Sequence, residues 1–344
     1  VINNQPIATD RLAEVKVYAA KHKTDDVRLS SSSGGIFTAI SDWYLSRGGI
    51  VYGAAFDSAL KLRHSRATTS IGRDNFRGSK YLQSELSDVF VSVRADLQSG
   101  KDVMFVGTPC QCSGLSRYLG KDYPKLLNCD FVCHGVPSPK IFYDYLVYVS
   151  RKFRSEITAV SFREKVVGWH RPVFCVTLQN SQKRILFNDD QYCRLFGEHL
   201  VLRPSCHKCQ FTNFNRPSDI TMGDFWSIPE FNRKFDDDKG TSLVLVNTEK
   251  GRRVFDGVSG DIVSMESTCV ACLQPNLTRP SKPSSDVGQF WKDYQQYGFE
   301  YVCSKYVPQR FMAWEKVRII ILLKKYGLLG LFCKVRGLFA AINP

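Results

Sequence analysis

The chain has 344 residues, 43% of them hydrophobic and 12% aromatic, with twelve cysteines and a formal net charge of +14. That length accommodates two domains, or one large α/β domain with an insertion, around a sizeable core. Irregular cysteine spacing in so long a chain, with no signal peptide at its start, excludes a secreted disulfide scaffold; it points to metal-bound or free thiols in a reducing, cytoplasmic compartment. The basic balance suits an anionic membrane face, an acidic partner or an anionic cofactor, and no nucleic-acid motif accompanies it.

The sequence opens Val1-Ile2-Asn3-Asn4, without a methionine, and an upstream part is expected to be missing. Leu12 to Ala20 alternates as a first strand. A Ser30–Gly35 loop then leads into an apolar i, i+3, i+4 pattern from Ile36 to Leu45. A Ser/Gly loop opening a helix offers backbone N–H groups to a phosphate, or serves simply as a serine N-cap. Gly49 to Phe56 reads as a strand whose partner begins at His64. Arg77-Gly78-Ser79-Lys80-Tyr81-Leu82-Gln83-Ser84 packs cations, an aromatic and small residues into one turn: Arg77 and Lys80 for a pyrophosphate and Tyr81 for a ring, or else a solvated loop before a helix at Asp88–Leu97.

Val103 to Val106 and Leu126 to Val132 are apolar runs too short for helices, with a crossover helix predicted over Ser113–Gly120 between them. This β-α-β unit makes parallel strands, and open α/β sheets carry their chemistry beyond the carboxyl ends of such strands. Cys110 and Cys133 both fall there. Further on, Cys206-His207-Lys208-Cys209 has the C-x-x-C spacing that lets two sulfurs face one metal centre. Four thiolates suit a structural zinc or an iron–sulfur cluster, the bland alternative being buried core cysteines.

The later half is β-richer. A strand begins at Val160, Val173–Leu178 with Arg184–Phe187 forms a hairpin, and Ser242–Asn247 is a buried strand before a helix opening at Lys250. Asp236-Asp237-Asp238 lacks EF-hand spacing and is a solvated turn; Pro275–Ser285 is a linker or an ordered surface loop. From Arg310 the chain is apolar with basic interruptions, and no uncharged run approaches the ~20 residues needed to span a bilayer. A helix there either lies on an anionic membrane surface or docks on the body. The predicted organisation is an N-terminal α/β domain over 1–155, a C-terminal α+β domain over 156–290 and a helical basic tail over 291–344, in a mixed, partly parallel α/β class.

Taken together, Ser33-Gly34-Gly35, Gly78-Ser79-Lys80-Tyr81, Gly107-Thr108-Pro109-Cys110-Gln111, Cys133-His134-Gly135-Val136-Pro137-Ser138, Phe162-Arg163, the C-x-x-C and Asp219 to Trp226 resemble the coenzyme F-420 hydrogenase/dehydrogenase beta-subunit family. The likeness runs in order over about residues 12 to 280. It implies an oxidoreductase that holds FAD and a [4Fe-4S] cluster and takes electrons from a ferredoxin or ferredoxin-like domain. It also implies a [4Fe-4S] ligand set of Cys110, Cys133, Cys206 and Cys209, and FAD contacts from Ser33, Gly34, Gly35, Arg77, Ser79, Lys80, Tyr81, Gly107, Thr108 and Asp224. His134 is either a proton donor near the flavin or a hydrogen-bonding residue of the cluster loop. Cys112 stands where the family has an aliphatic residue and is left out of the ligand set; Cys269–Cys272 lies outside the pattern and is expected to be structural. A small-molecule or sugar substrate, surface-polysaccharide metabolism and a homo-oligomer complete these expectations. The rival classes are a zinc-binding adaptor and a polysaccharide-modifying relative without redox chemistry.

Overall fold

The computed structural model describes residues 11–328. The main sheet uses β1 (Arg11–His22), β2 (Ile50–Phe56), β3 (Leu62–Ala67), β4 (Val103–Val106) and β5 (Leu126–Phe131). A separate three-stranded sheet follows, with β6 (Ile157–Glu164), β7 (Val173–Leu178) and β8 (Ser181–Leu186). The chain then returns to the main sheet with β9 (Ile220–Asp224), β10 (Ser242–Thr248) and β11 (Ile262–Ser267), giving the order β11-β1-β10-β9-β5-β4-β2-β3. This is the predicted mixed α/β class.

The central strands β9, β5, β4 and β2 run parallel. Parallel strands are covered on both faces, which is why β4 is continuously apolar and the polar side chains of β5, Asn128 and Asp130, are buried with hydrogen-bond partners. Met104 faces the layer formed by the helices Ile36–Leu45 and Glu249–Gly257. Val103 and Phe105 face the helices Val89–Gln98 and Pro109–Leu119 on the other side. β1 is antiparallel to β10, itself antiparallel to β9, so β1 points the same way as the parallel centre. Five strands therefore end at one edge, and the loops after β1, β4, β5 and β9 gather there.

A second core joins the Pro139–Phe153 helix, the small sheet and the Val287–Tyr306 helix through tilted and edge-on aromatic rings, with Phe142, Phe162, Phe174 and Tyr192 at its centre. The Ala313–Lys325 helix docks on it: Val317 is buried against Val167 and Val173, and Arg310 and Lys316 reach Asp189 at 2.8 and 2.9 Å. Within the predicted tail, Ile320 and Leu323 are half-buried and Leu328 is exposed; Leu331, with the rest of 329–344, lies outside the described residues. No described helix is long and apolar enough to cross a membrane.

Candidate cofactor site

Cys110 is set by a helix start. The crossover helix begins at Pro109, four residues before the position predicted from sequence, because Thr108 and Gln111 form a capping box. The Thr108 N–H donates to Gln111 Oε1 at 2.9 Å, and Gln111 Nε2 donates to Ser84 Oγ at 2.9 Å. Exposed Cys110 thus stands on the first turn, its sulfur 3.0 Å from Thr108 Oγ1. Gly107 leaves room for this: a Cβ there would lie 3.1 Å from Gln111 Oε1.

Cys133 follows the end of β5, while Cys206 and Cys209 flank a short 3-10 turn, Pro204–Lys208. The two segments are laced together. The Arg203 N–H donates to Val136 O at 2.9 Å, Pro137 bridges Leu202, and Gly135, at φ 122°, comes so near that a Cβ would stand 3.2 Å from Cys206 Cβ. Burial pushes the Cys133 thiol up to about 12, and Cys110, Cys206 and Cys209 each add to the rise. Burial also raises Cys206 and Cys209, with Cys110 contributing to both. The structure therefore brings the four predicted thiols within electrostatic reach of one another. The backbone amides of Gly135, Val136 and Phe211 favour the thiolate forms of Cys133, Cys206 and Cys209 and offset part of that rise. Among the described residues, no three His, Cys, Asp or Glu side chains form a group able to hold a single metal ion. The arrangement is a four-thiol neighbourhood rather than a closed single-ion cage. Cys112 is fully buried and donates to Cys129 O at 3.2 Å, as expected of a structural cysteine.

The Ser30–Ser32 and Arg77–Lys80 loops and residues 160–164 of β6 line a cleft of about 160 Å3. The Ser79 N–H donates to Ser32 Oγ at 2.6 Å and ties the loops together. Two guanidinium nitrogens at this cleft, Arg163 Nη2 and Arg77 Nε, are buried without a hydrogen-bond partner among the described residues. A buried cationic donor with no acceptor is costly, and an anionic ligand would satisfy it. Burial opposes the charge of Arg163, but Asp224 and then Tyr81 outweigh it and raise its pKa.

Several predicted contacts have other employment. Ser33 Oγ donates to Thr241 O at 2.8 Å, the Gly34 N–H donates to Ser242 Oγ at 2.9 Å, and Gly35 caps the following helix at φ 90°. The cleft wall is instead Ser30, Ser31 and Ser32. Lys80 folds back to donate to the carbonyls of Phe76, Arg77 and Gly78 at 3.0, 2.8 and 3.1 Å, and burial lowers its pKa to about 7. Tyr81 is held edge-on by Phe162 and Phe187 in the aromatic core. Asp224 accepts from Arg163 and, at 3.1 Å, from Trp169 Nε1; Trp169 stacks on exposed Trp226 at 5.1 Å. Arg163 and the two tryptophans were outside the predicted site residues, although Phe162-Arg163 is one of the motifs that carry the resemblance.

His134 Nε2 lies 2.8 Å from His199 Nε2, and its Nδ1 lies 3.2 Å from Asn276 Oδ1. Ser281 spends its proton on His134 O and accepts from Asn276 Nδ2, which fixes that amide and makes His134 Nδ1 a donor. Burial, then the neighbouring imidazole, holds His134 below the ordinary histidine range.

Fold and site define a mixed α/β protein with four thiols within electrostatic reach of one another and a cleft that holds two buried guanidinium nitrogens, unpaired among the described residues. Residues 100–268, which contain all four thiols, match the family model for the C terminus of the beta subunit of coenzyme F420 hydrogenase/dehydrogenase. Among solved structures, a chain of the xenon-derivatised F420-reducing [NiFe] hydrogenase complex from Methanosarcina barkeri aligns over 89% of this chain and 94% of its own, at 16% identity and a TM-score of 0.49. No curated protein matches.

Proposed function

We propose that this hydrogenase/dehydrogenase-type chain is a flavin- and iron–sulfur-dependent oxidoreductase. In this reading Cys110, Cys133, Cys206 and Cys209 hold a [4Fe-4S] cluster, and Arg163 and Arg77 hold the FAD pyrophosphate beside it. The mutual electrostatic reach of four thiols, with the segments of Cys133 and of the C-x-x-C laced together through Val136 O and Gly135, carries the reading. When bound, the pair would supply conversion between one-electron and two-electron transfer. The cleft, at about 160 Å3, is smaller than the roughly 300–1,000 Å3 of whole-ligand pockets, and so fits the pyrophosphate portion of a dinucleotide. His134, with both ring nitrogens engaged, acts as a positioning residue for the Cys133 turn. Arg203, Lys208, Arg279 and Lys282 are exposed around the C-x-x-C and its neighbouring loop, a rim that suits an acidic, ferredoxin-type electron donor.

Anaerobic purification with iron, sulfide and flavin assays tests this. The wild type is expected brown-yellow; Cys110→Ser loses iron and its visible absorbance, Cys112→Ser keeps both, and Arg163→Met loses flavin but not iron. Colourless protein carrying zinc on the same thiols overturns the redox reading in favour of the adaptor.

A further inference from the structure

The Ala313–Lys325 helix carries apolar residues on two sides, and the body of the protein covers one of them. Inward, Val317 is fully buried against Val167 and Val173, and Ala313 joins the aromatic core. Arg310 and Lys316 are pinned to Asp189, and Lys324 Nζ donates to Val167 O at 3.1 Å. These contacts fix the helix in rotation, so its outer side is held outward.

That outer side is apolar as well. Ile321, Leu322 and Tyr326 are 36, 46 and 67% exposed, with Leu328 at 47% just past the helix end. Positions 318, 321, 322, 325 and 326 share one side at helical spacing. Arg318 and Lys325 stand among them; among the described residues Arg318 has no ion-pair partner and Lys325 meets the Tyr326 ring alone, 5.9 Å away.

Charge selects what covers this face. Arg318 and Lys325 charge this face, while Arg310 and Lys316 are neutralised inward by Asp189; the sequence beyond it adds Lys334 and Arg336, and Glu315 is the one acid of residues 310–344. A second copy would press like charge on like, on a chain already at +14. The segment 329–344 is itself apolar and basic, so folding it back would leave the same charges unmatched. An anionic bilayer supplies both requirements, phosphates for the cations and an acyl boundary for the aliphatic side chains.

We infer that the outer face of the Ala313–Lys325 helix is a peripheral docking surface for an anionic lipid membrane. Ile321, Leu322, Tyr326 and Leu328 enter the headgroup boundary while Arg318 and Lys325 meet lipid phosphates. This is independent of the redox reading, and its test needs no cofactor. The full chain is floated with phosphatidylserine-containing vesicles and with pure phosphatidylcholine vesicles. The wild type is expected to float with the first and not the second, and to be released by high salt. Leu322→Glu, and Arg318→Glu with Lys325→Glu, should each lower partitioning by about tenfold or more. All three positions face outward, so the melting temperature is expected to hold. Equal flotation of variants and wild type overturns the inference, as does failure of the wild type to float. So does a dimer in light scattering that Leu322→Glu dissolves without any flotation having been seen.

Discussion

Lys165 shows what one side chain does for the site. Its Nζ donates to three carbonyls from three segments: Arg28 O at 2.7 Å, Ser33 O at 2.5 Å and Lys239 O at 2.8 Å. It thereby fastens the serine loop below the cleft to the acidic turn. Burial, followed by the nearby Arg163 charge, lowers its pKa to about 7 from an ordinary 10.5. Below pH 7 both folded and unfolded chains carry the proton, and the desolvation cost stands in full. Between 7 and 10.5 the unfolded chain retains a proton that the folded chain has released, so stability rises with pH across that window. The wild-type melting temperature is expected to rise more between about pH 6 and about pH 9.5 than that of Lys165→Met, whose level falls but whose slope is flatter. Equal slopes would mean that Lys165 keeps an ordinary pKa. Nothing in the local sequence marks this lysine, because its three acceptors come from distant segments.

At the scale of elements, the signals that fix helices were in the sequence but used unevenly. The Ile36–Leu45 helix has the predicted bounds because its apolar period is clean. Thr108-Pro109-Cys110-Gln111 spells a capping box, and Ser138-Pro139 an N-cap with proline in the first turn, which opens the Pro139–Phe153 helix. Reading the first box would have put Cys110 on a helix rather than in a loop. How the C-x-x-C segment is held to β5 was not legible, since it depends on Arg216. Fully buried, its guanidinium donates to Phe211 O, two residues past Cys209, and to Asp130 Oδ1 and Phe131 O at 3.1 Å each, just before Cys133. Burial pushes the Asp130 carboxyl up and Arg216 pulls it back. Removing one partner of such a pair leaves a buried charge uncompensated, at a cost of about 3–5 kcal/mol. Arg216→Met should therefore lower the unfolding free energy in urea by about that much. It should also release iron from cluster-loaded protein faster than Lys208→Ala, an exposed change in the same region. A stable variant with normal iron retention would show that Arg216 does not brace the thiols.

Across the whole molecule, the sequence supplies strands but not their order. Composition and apolar runs suffice for a mixed α/β class with a parallel centre. Residue 155, where the sequence reading divides the chain, is where it leaves the Pro139–Phe153 helix for the small sheet. The return is not legible, because periodicity carries no information on pairing between strands more than two hundred residues apart. Both neighbours of β1, β10 and β11, come from beyond that boundary, and so does β9, which covers the free side of β5. A fragment of residues 11–155 would keep β3-β2-β4-β5 as a sheet but leave β1 with no partner and β5 with an open edge. It would also lose Val244, Val246, Val254, Phe255 and Val258 from the layer over Met104 and Leu127. With that apolar surface exposed and an unpaired strand edge available, the fragment is expected to aggregate or to unfold without a cooperative transition. Co-expression with residues 156–328 should restore a soluble complex with a single thermal transition. A fragment of 11–155 that melts cooperatively alone would show that the first half folds as an independent domain, with β9–β11 added afterwards.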